Sequence, residues 1–200
     1  MKNLIKRSLL IAAIFTLPIS NAMSNEPNPN SNIIIIVNGK LIDLTLDYAD
    51  GDIEVNVQDS FGFVLYREKY TGASLSRKFD LTLLPNGNYF LEINGQTKIE
   101  IIPFTVTSNN VDFEKEKVTI FFKPIVRFKD DVVYISKLAL EKEALNIKVY
   151  DTNFNLLYSE NLKNNINLGR KLSFSKLEPG NYMLVLKSEG RVFEKTIKKI

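Results

Sequence analysis

The sequence predicts an all-β protein made of two tandem β-sandwich domains. Short apolar or alternating runs, separated by turn residues, fill most of the chain. Residues 53–58 alternate apolar and polar side chains, and Asn38-Gly39 after the apolar residues 33–37 is a strong hairpin signal. Only residues 138–144 have a helix-forming composition, which is enough for a single turn. The chain also repeats itself, which predicts two domains of the same kind.

The N-terminus has the three parts of a secretory signal peptide. Residues 1–7 carry three basic side chains, residues 9–17 are apolar apart from one threonine, and Ser20-Asn21-Ala22 supplies small residues before a cleavage point. The apolar run is shorter than the roughly 18 residues that span a bilayer. We therefore expect residues 1–22 to be cleaved, leaving no transmembrane segment. The mature chain would lie in the periplasm, on the cell surface or outside the cell.

Charge and composition exclude several functions. The chain has 26 basic and 23 acidic residues, and cleavage removes three of the basic ones, so the mature chain is neutral. A neutral chain is a poor nucleic-acid binder, and we interpret Lys195, Lys198 and Lys199 as an exposed strand edge protected against self-pairing. The absence of His and Cys removes the usual catalytic triads, cysteine nucleophiles, zinc sites and disulfides. We predict no catalytic residues and no enzyme.

The internal repeat defines the domains. Residues 53–68 align with residues 145–160 at five identical positions of 16, and residues 77–93 align with residues 170–186 at seven of 17. The identities fall at these pairs: Val57/Val149, Asp59/Asp151, Leu65/Leu157, Tyr66/Tyr158, Glu68/Glu160, Arg77/Arg170, Lys78/Lys171, Leu84/Leu177, Gly87/Gly180, Asn88/Asn181, Tyr89/Tyr182 and Leu91/Leu184. After a flexible leader at residues 23–32, we expect a first sandwich at residues 33–107, a linker at residues 108–117 and a second sandwich at residues 118–200.

The best-matched element of the repeat is a turn that leads into a tyrosine. A leucine, a tight turn, a glycine and then a tyrosine that opens a strand have the layout of a tyrosine corner. In this corner the hydroxyl satisfies a backbone carbonyl upstream. With about seven short strands per copy, this predicts immunoglobulin-like sandwiches. The corner residues are Leu84, Gly87, Tyr89, Leu177, Gly180 and Tyr182.

Two other repeated features have structural explanations. Asp59 and Asp151 each follow a strand and precede a turn, where the carboxylate accepts the backbone N–H two residues further on. Tyr66 and Tyr158 lie on equivalent strands, so we expect them to pack on a sheet face. The apolar residues 33–37 read as a first strand buried between sheets, or alternatively as an edge strand that pairs with another chain.

The second copy resembles the C-terminal sorting domains of the type IX secretion system, and related small secreted β-sandwich families of unknown function. The residues that carry the resemblance are Val-Tyr-Asp at 149–151, Leu-Leu-Tyr at 156–158, Leu-Glu-Pro-Gly-Asn-Tyr at 177–182 and the lysine-rich end at 195–200. The likeness covers roughly residues 132–200 and extends less strongly to the first copy. It implies a β-sandwich fold and recognition by the secretion machinery.

Three functional hypotheses follow. The first is a secreted, non-catalytic protein that acts through surface contacts, with other secreted or cell-surface proteins as partners. The second is a type IX substrate whose second domain is the sorting signal. The third is a calcium- or glycan-binding module, since Asp47, Asp50 and Asp52 could supply oxygen ligands to Ca²⁺ in one loop. No other cofactor is indicated, and the sequence assigns no binding residues.

Overall fold

The computed structural model describes residues 33–47, 51–72 and 74–200. The predicted signal peptide at residues 1–22 and the predicted leader at residues 23–32 lie outside these described residues. None of the helices in the described ranges is long and apolar enough to cross a membrane.

The first sandwich packs a three-stranded sheet on a larger one. Its strands are β1 (Ile33–Asn38), β2 (Leu41–Asp47), β3 (Ile53–Asp59), β4 (Val64–Tyr70), β5 (Ser74–Asp80), β6 (Gly87–Asn94), β7 (Lys98–Val106), β8 (Val111–Phe113) and β9 (Thr119–Phe122). The antiparallel order in the small sheet is β1-β2-β5, and in the larger sheet it is β4-β3-β6-β7. Strands β8 and β9 both pair with β7, along different parts of its outer edge.

The second sandwich repeats this arrangement without the two extra strands. It contains β10 (Ile125–Lys129), β11 (Val132–Leu138), β12 (Leu145–Tyr150), β13 (Leu156–Leu162), β14 (Asn167–Ser173), β15 (Gly180–Ser188) and β16 (Arg191–Lys199). The sheets have the orders β10-β11-β14 and β13-β12-β15-β16. The predicted all-β fold with two tandem immunoglobulin-like sandwiches is therefore confirmed.

Each sandwich has its own hydrophobic core, because one face of every central strand points inward. In β12, for example, Leu145, Ile147 and Val149 are buried while the residues between them are partly exposed. One core extends from Ile35 to Phe113 and the other from Val133 to Ile197. Burial of these aliphatic side chains supplies the main stabilisation of a chain that has no disulfide.

The duplication extends to irregular details. The pairings of β3 with β4 and of β12 with β13 both shift register near the end of the hairpin. In each hairpin the aspartate carboxylate (Asp59 or Asp151) accepts the backbone N–H two and four residues further on, at 2.8–2.9 Å. The aspartate turn predicted from the sequence is thus confirmed in both copies.

Four local expectations differ from the structure. Residues 108–117, expected to be a linker, contain β8 and a turn of 3-10 helix at Lys115–Lys117. Strand β9 pairs with β7 in the larger sheet of the first sandwich, so the strand pairing of that sandwich continues to Phe122. Residues 138–144 form a strand end and a turn rather than a helical turn. Strand β1 is not buried between sheets but forms a sheet edge with Ile34 and Ile36 exposed, as the alternative interpretation expected; its pairing with another chain stays a prediction. Lys199, interpreted as an exposed edge residue, is buried; its Nζ donates to the carbonyls of Phe174, Ser175 and Leu177 at 2.7–3.2 Å.

The two sandwiches contact each other around Phe121 of β9. This ring is buried and stacks on Phe193 of β16, with 5.7 Å between ring centroids. Lys137 Nζ lies 4.6 Å from the centroid of the same ring, and Arg191 also faces it. Arg191 Nη2 donates to Glu92 Oε2 of β6 at 2.7 Å. An aromatic pair and an ion pair therefore join the repeats directly.

Candidate functional site

The predicted corner residues form the same contacts in both copies. The hydroxyl of Tyr89 donates to the carbonyl of Pro85 at 2.9 Å, and that of Tyr182 donates to the carbonyl of Glu178 at 2.7 Å. Both tyrosine rings are buried. Gly87 and Gly180 begin the strands β6 and β15, and Leu84 and Leu177 pack against the two cores. These side chains pack at the ends of the sandwiches, where they have a structural role.

The predicted calcium ligands are only partly described. Asp47 is the last residue of β2 and Asp52 immediately precedes β3, whereas Asp50 lies outside the described residues. Among the residues that the structure describes, no group of three or more acidic side chains is arranged to hold a metal ion. The calcium site remains a prediction.

A cluster of tyrosine, glutamate and arginine bridges the two sheets of each sandwich. In the first, Tyr70 donates to Glu68 Oε2 at 2.7 Å and Arg77 Nη2 to Glu68 Oε1 at 3.1 Å, and Tyr66 also donates to this carboxylate. Glu68 lies on β4 and Arg77 on β5, so the contact connects an edge of one sheet to an edge of the other. The tyrosine hydrogen bonds lower the pKa of Glu68.

The second copy contains the equivalent cluster of Tyr158, Glu160 and Arg170. Arg170 Nε donates to Glu160 Oε2 at 2.6 Å, its Nη2 donates to the other carboxylate oxygen, and Tyr158 donates to the same group. The hydrogen bonds from Arg170 and then Tyr158 lower the pKa of Glu160. The sequence alignment contained all these positions as identities but did not indicate that they meet in space.

The outer face of the sheet β10-β11-β14 carries a basic cleft that sequence reasoning missed. The register places Arg127 opposite Tyr134 and Tyr134 opposite Lys171, so these three side chains form one row across the sheet. Lys171 Nζ lies 5.4 Å from the centroid of the Tyr134 ring. The cleft has a volume of about 880 Å³ and is lined by Ile125, Arg127, Lys129, Tyr134, Ile135, Ser136, Gly169, Arg170 and Lys171.

The same face of the first sandwich has different chemistry. The row of three side chains across this sheet is Ile36, Asp43 and Lys78. In the second sandwich the corresponding row, in the same order, is Arg127, Tyr134 and Lys171. Lys78 Nζ forms an ion pair with Asp43 Oδ1 at 3.3 Å. Over the nine positions that line the cleft, the second copy carries four positive charges and no negative one, whereas the first carries a net charge of +1. One scaffold thus presents two distinct surfaces.

The copies also differ at one sheet edge. In the first sandwich the outer edge of β7 is paired with β8 and β9. In the second, β16 occupies the equivalent place, and within the described residues no strand pairs with its outer edge. The backbone groups along that edge are available to another strand.

Comparison with known proteins matches both copies to one family. The family model described as "Secretion system C-terminal sorting domain" matches residues 27–107 and residues 129–200, which together make up more than half of the chain. The resemblance noted from the second copy therefore extends to the first. None of the curated proteins matches the chain significantly.

Several solved structures show a weaker likeness. The BSP domain of a biofilm associated protein has 13% identity and a TM-score of 0.28, and the match covers 82% of this chain and 29% of that chain. The FN1–FN3 domains of chicken CNTN1 have 12% identity and a TM-score of 0.28, with 84% of this chain and 66% of that chain covered. A β-glucuronidase from Parabacteroides merdae has 11% identity and a TM-score of 0.27, with 84% of this chain and 28% of that chain covered. The matched region spans less than two thirds of each of those chains. These TM-scores are too low to carry an inference about activity.

Proposed function

The chain belongs to the family of secretion system C-terminal sorting domains, and from this premise we propose that it is a type IX secretion substrate whose second copy is the sorting signal. The observation that carries the proposal is the match of the family model to both copies. Export to the cell surface or the surrounding medium follows from this role.

The difference between the two copies favours the second as the signal. Secretion machinery that reads a folded domain needs a surface to bind, and an unpaired strand edge offers a row of backbone donors and acceptors. In the first copy, β8 and β9 occupy this edge on β7. In the second copy the edge of β16 is open within the described residues. We therefore assign recognition to β16.

A protein with this role needs no catalysis of its own. The sequence contains no His and no Cys, and we propose that the exported chain acts through surface contacts rather than by catalysing a reaction.

Export in two matched strains tests the sorting role. The full chain would be expressed in a bacterium with a working type IX system and in an isogenic strain without the translocon. We expect the protein outside the first strain and retained in the periplasm of the second. Equal amounts outside both strains would overturn the proposal. Intact mass of the exported protein would also report whether the second copy is removed.

A further inference from the structure

The basic cleft of the second copy exposes several positive charges together with an aromatic ring. Arg127, Lys129 and Lys171 are exposed, and among the described residues no carboxylate forms an ion pair with any of them. Arg170 is the exception, since Glu160 neutralises it. Tyr134 lies in the centre of the row with 39% of its surface exposed. Arg127, Lys129 and Lys171 therefore line the same exposed cleft as the Tyr134 ring, with Arg127 and Lys171 directly on either side of it.

Comparison with the first copy argues that this chemistry is not required by the fold. The same scaffold folds with Asp43 in place of Tyr134, and there the lysine of the neighbouring strand is neutralised by an ion pair. In the second copy the aspartate is missing, and Lys171 faces an aromatic ring instead. Like charges placed near each other raise the free energy of the folded state unless a ligand neutralises them.

From this geometry we propose that the cleft binds an acidic polysaccharide. The face of the Tyr134 ring suits the apolar face of a sugar ring, and the cations suit carboxylate or sulfate groups on the neighbouring sugars. Adjacent strands lie about 4.8 Å apart, so Arg127 and Lys171 are about 10 Å apart on either side of Tyr134. The small residues Ser136 and Gly169 leave the floor of the cleft open for an extended chain.

A polysaccharide fits these features better than a nucleic acid does. The mature chain is neutral, with 23 basic and 23 acidic residues after the predicted cleavage, so it lacks the extended positive field that attracts phosphate backbones. Among the described residues, a single aromatic side chain lines the cleft, whereas single-stranded nucleic acids are bound on several stacking platforms. The inference does not depend on the sorting role, since it rests on another face of the domain.

Binding measurements with paired variants test this proposal. The full chain would be titrated by calorimetry with polygalacturonate, dextran sulfate and neutral dextran at physiological salt. The key variant is Tyr134→Asp, because it recreates the Asp43–Lys78 arrangement that the first copy accommodates. Lys171→Ala and its counterpart in the first copy, Lys78→Ala, form a matched pair. Thermal melting would verify that all variants are folded.

We expect binding to one or both acidic polymers and none to neutral dextran. Preference between the two polymers distinguishes carboxylate from sulfate recognition. Tyr134→Asp and Lys171→Ala should each weaken binding about tenfold or more, and Lys78→Ala should leave it unchanged. No binding to either acidic polymer would overturn the proposal, and so would equal losses in Lys171→Ala and Lys78→Ala. Displacement of polygalacturonate by a lower concentration of single-stranded DNA would also overturn it.

Discussion

Arg191 in the second sandwich forms an ion pair with Glu92 in the first, with 2.7 Å between Nη2 and Oε2. The Glu92 side chain is only 8% exposed and that of Arg191 is 31% exposed. The hydrogen-bonded ion-pair partner of this buried carboxylate therefore comes from the other repeat. Together with the Phe121–Phe193 stack, this pair joins the two copies by direct side-chain contacts.

Removal of the arginine should destabilise the protein. Arg191→Met leaves the Glu92 carboxylate buried without its partner, and we expect a loss of about 2 kcal/mol in the free energy of unfolding, less than for a fully buried pair because Arg191 is partly exposed. Urea denaturation of Arg191→Met, Glu92→Gln and the double variant measures the coupling. If the losses in free energy of unfolding of the two single variants add up to the loss of the double variant, the ion pair contributes nothing to stability.

The tyrosine corners should contribute similarly in the two copies. Tyr89→Phe and Tyr182→Phe each remove one hydroxyl and leave one backbone carbonyl without its donor. We expect each to lower the free energy of unfolding by about 1 kcal/mol. Calorimetric melting of both variants checks this. A loss in one copy and none in the other would show that the two corners are not equivalent.

Phe154 has an unusual backbone conformation. Its φ of 62° lies in the left-handed region, where the first copy has Gly62 with a φ of 86°. Its ring is 73% exposed, so little burial is lost on substitution. We expect Phe154→Asn to stabilise the protein by up to about 1 kcal/mol, since asparagine tolerates this conformation.

The opposite change provides the control for this prediction. Gly62→Ala puts a side chain on a left-handed residue and should cost about 1 kcal/mol. Both variants would be measured by urea denaturation. Destabilisation by Phe154→Asn would contradict the assignment of strain to this residue.

The two glutamate clusters predict a stability loss in acid. Hydrogen bonds lower the pKa of Glu68 and of Glu160 in the folded protein below the ordinary value of 4.5. A lowered pKa contributes stability that is fully present above the unfolded value and is lost as the pH falls through the folded value. When the pH is lowered from 5 to 3, the thermal unfolding midpoint of the wild type should therefore fall further than that of a variant lacking both carboxylates.

The variant for this comparison is Glu68→Gln with Glu160→Gln. Glu194→Gln, on an exposed position of β16, controls for the general effect of removing an acid. An equal acid-induced loss in the wild type and in the double glutamine variant would contradict the prediction.

Local patterns made the fold predictable from the sequence. Alternation of apolar and polar residues located β3 and β12, and the repeated Gly-x-Tyr turns identified the ends of the sandwiches. The strand β8 escaped prediction because it has only three residues and lies in the segment that we interpret from the sequence as a linker. The apolar strand β9 falls within the predicted second sandwich, whereas it pairs with β7 of the first. Their pairing depends on the neighbouring edge of β7 rather than on their own sequence.

The basic cleft escaped prediction for a different reason. Arg127, Tyr134 and Lys171 are on three separate strands, and only the register of β10, β11 and β14 brings them into one row. No local motif contains that register. A comparison of Asp43 with Tyr134 in the two copies would have been the available signal, but the alignment that identified the repeat did not extend to those strands.

The most direct test of the sorting role concerns the backbone of Thr196 on β16. The register makes Thr196 of β16 equivalent to Pro103 of β7. Proline has no amide hydrogen, so its position in β7 needs no hydrogen bond from its nitrogen to the neighbouring strand β6. At the equivalent position, the amide of Thr196 therefore faces away from β15. Thr196→Pro would remove one outward donor, whereas Thr196→Val keeps it. We expect both variants to melt like the wild type, Thr196→Pro to remain in the periplasm and Thr196→Val to be exported. Export of folded Thr196→Pro at the level of Thr196→Val would contradict recognition along β16.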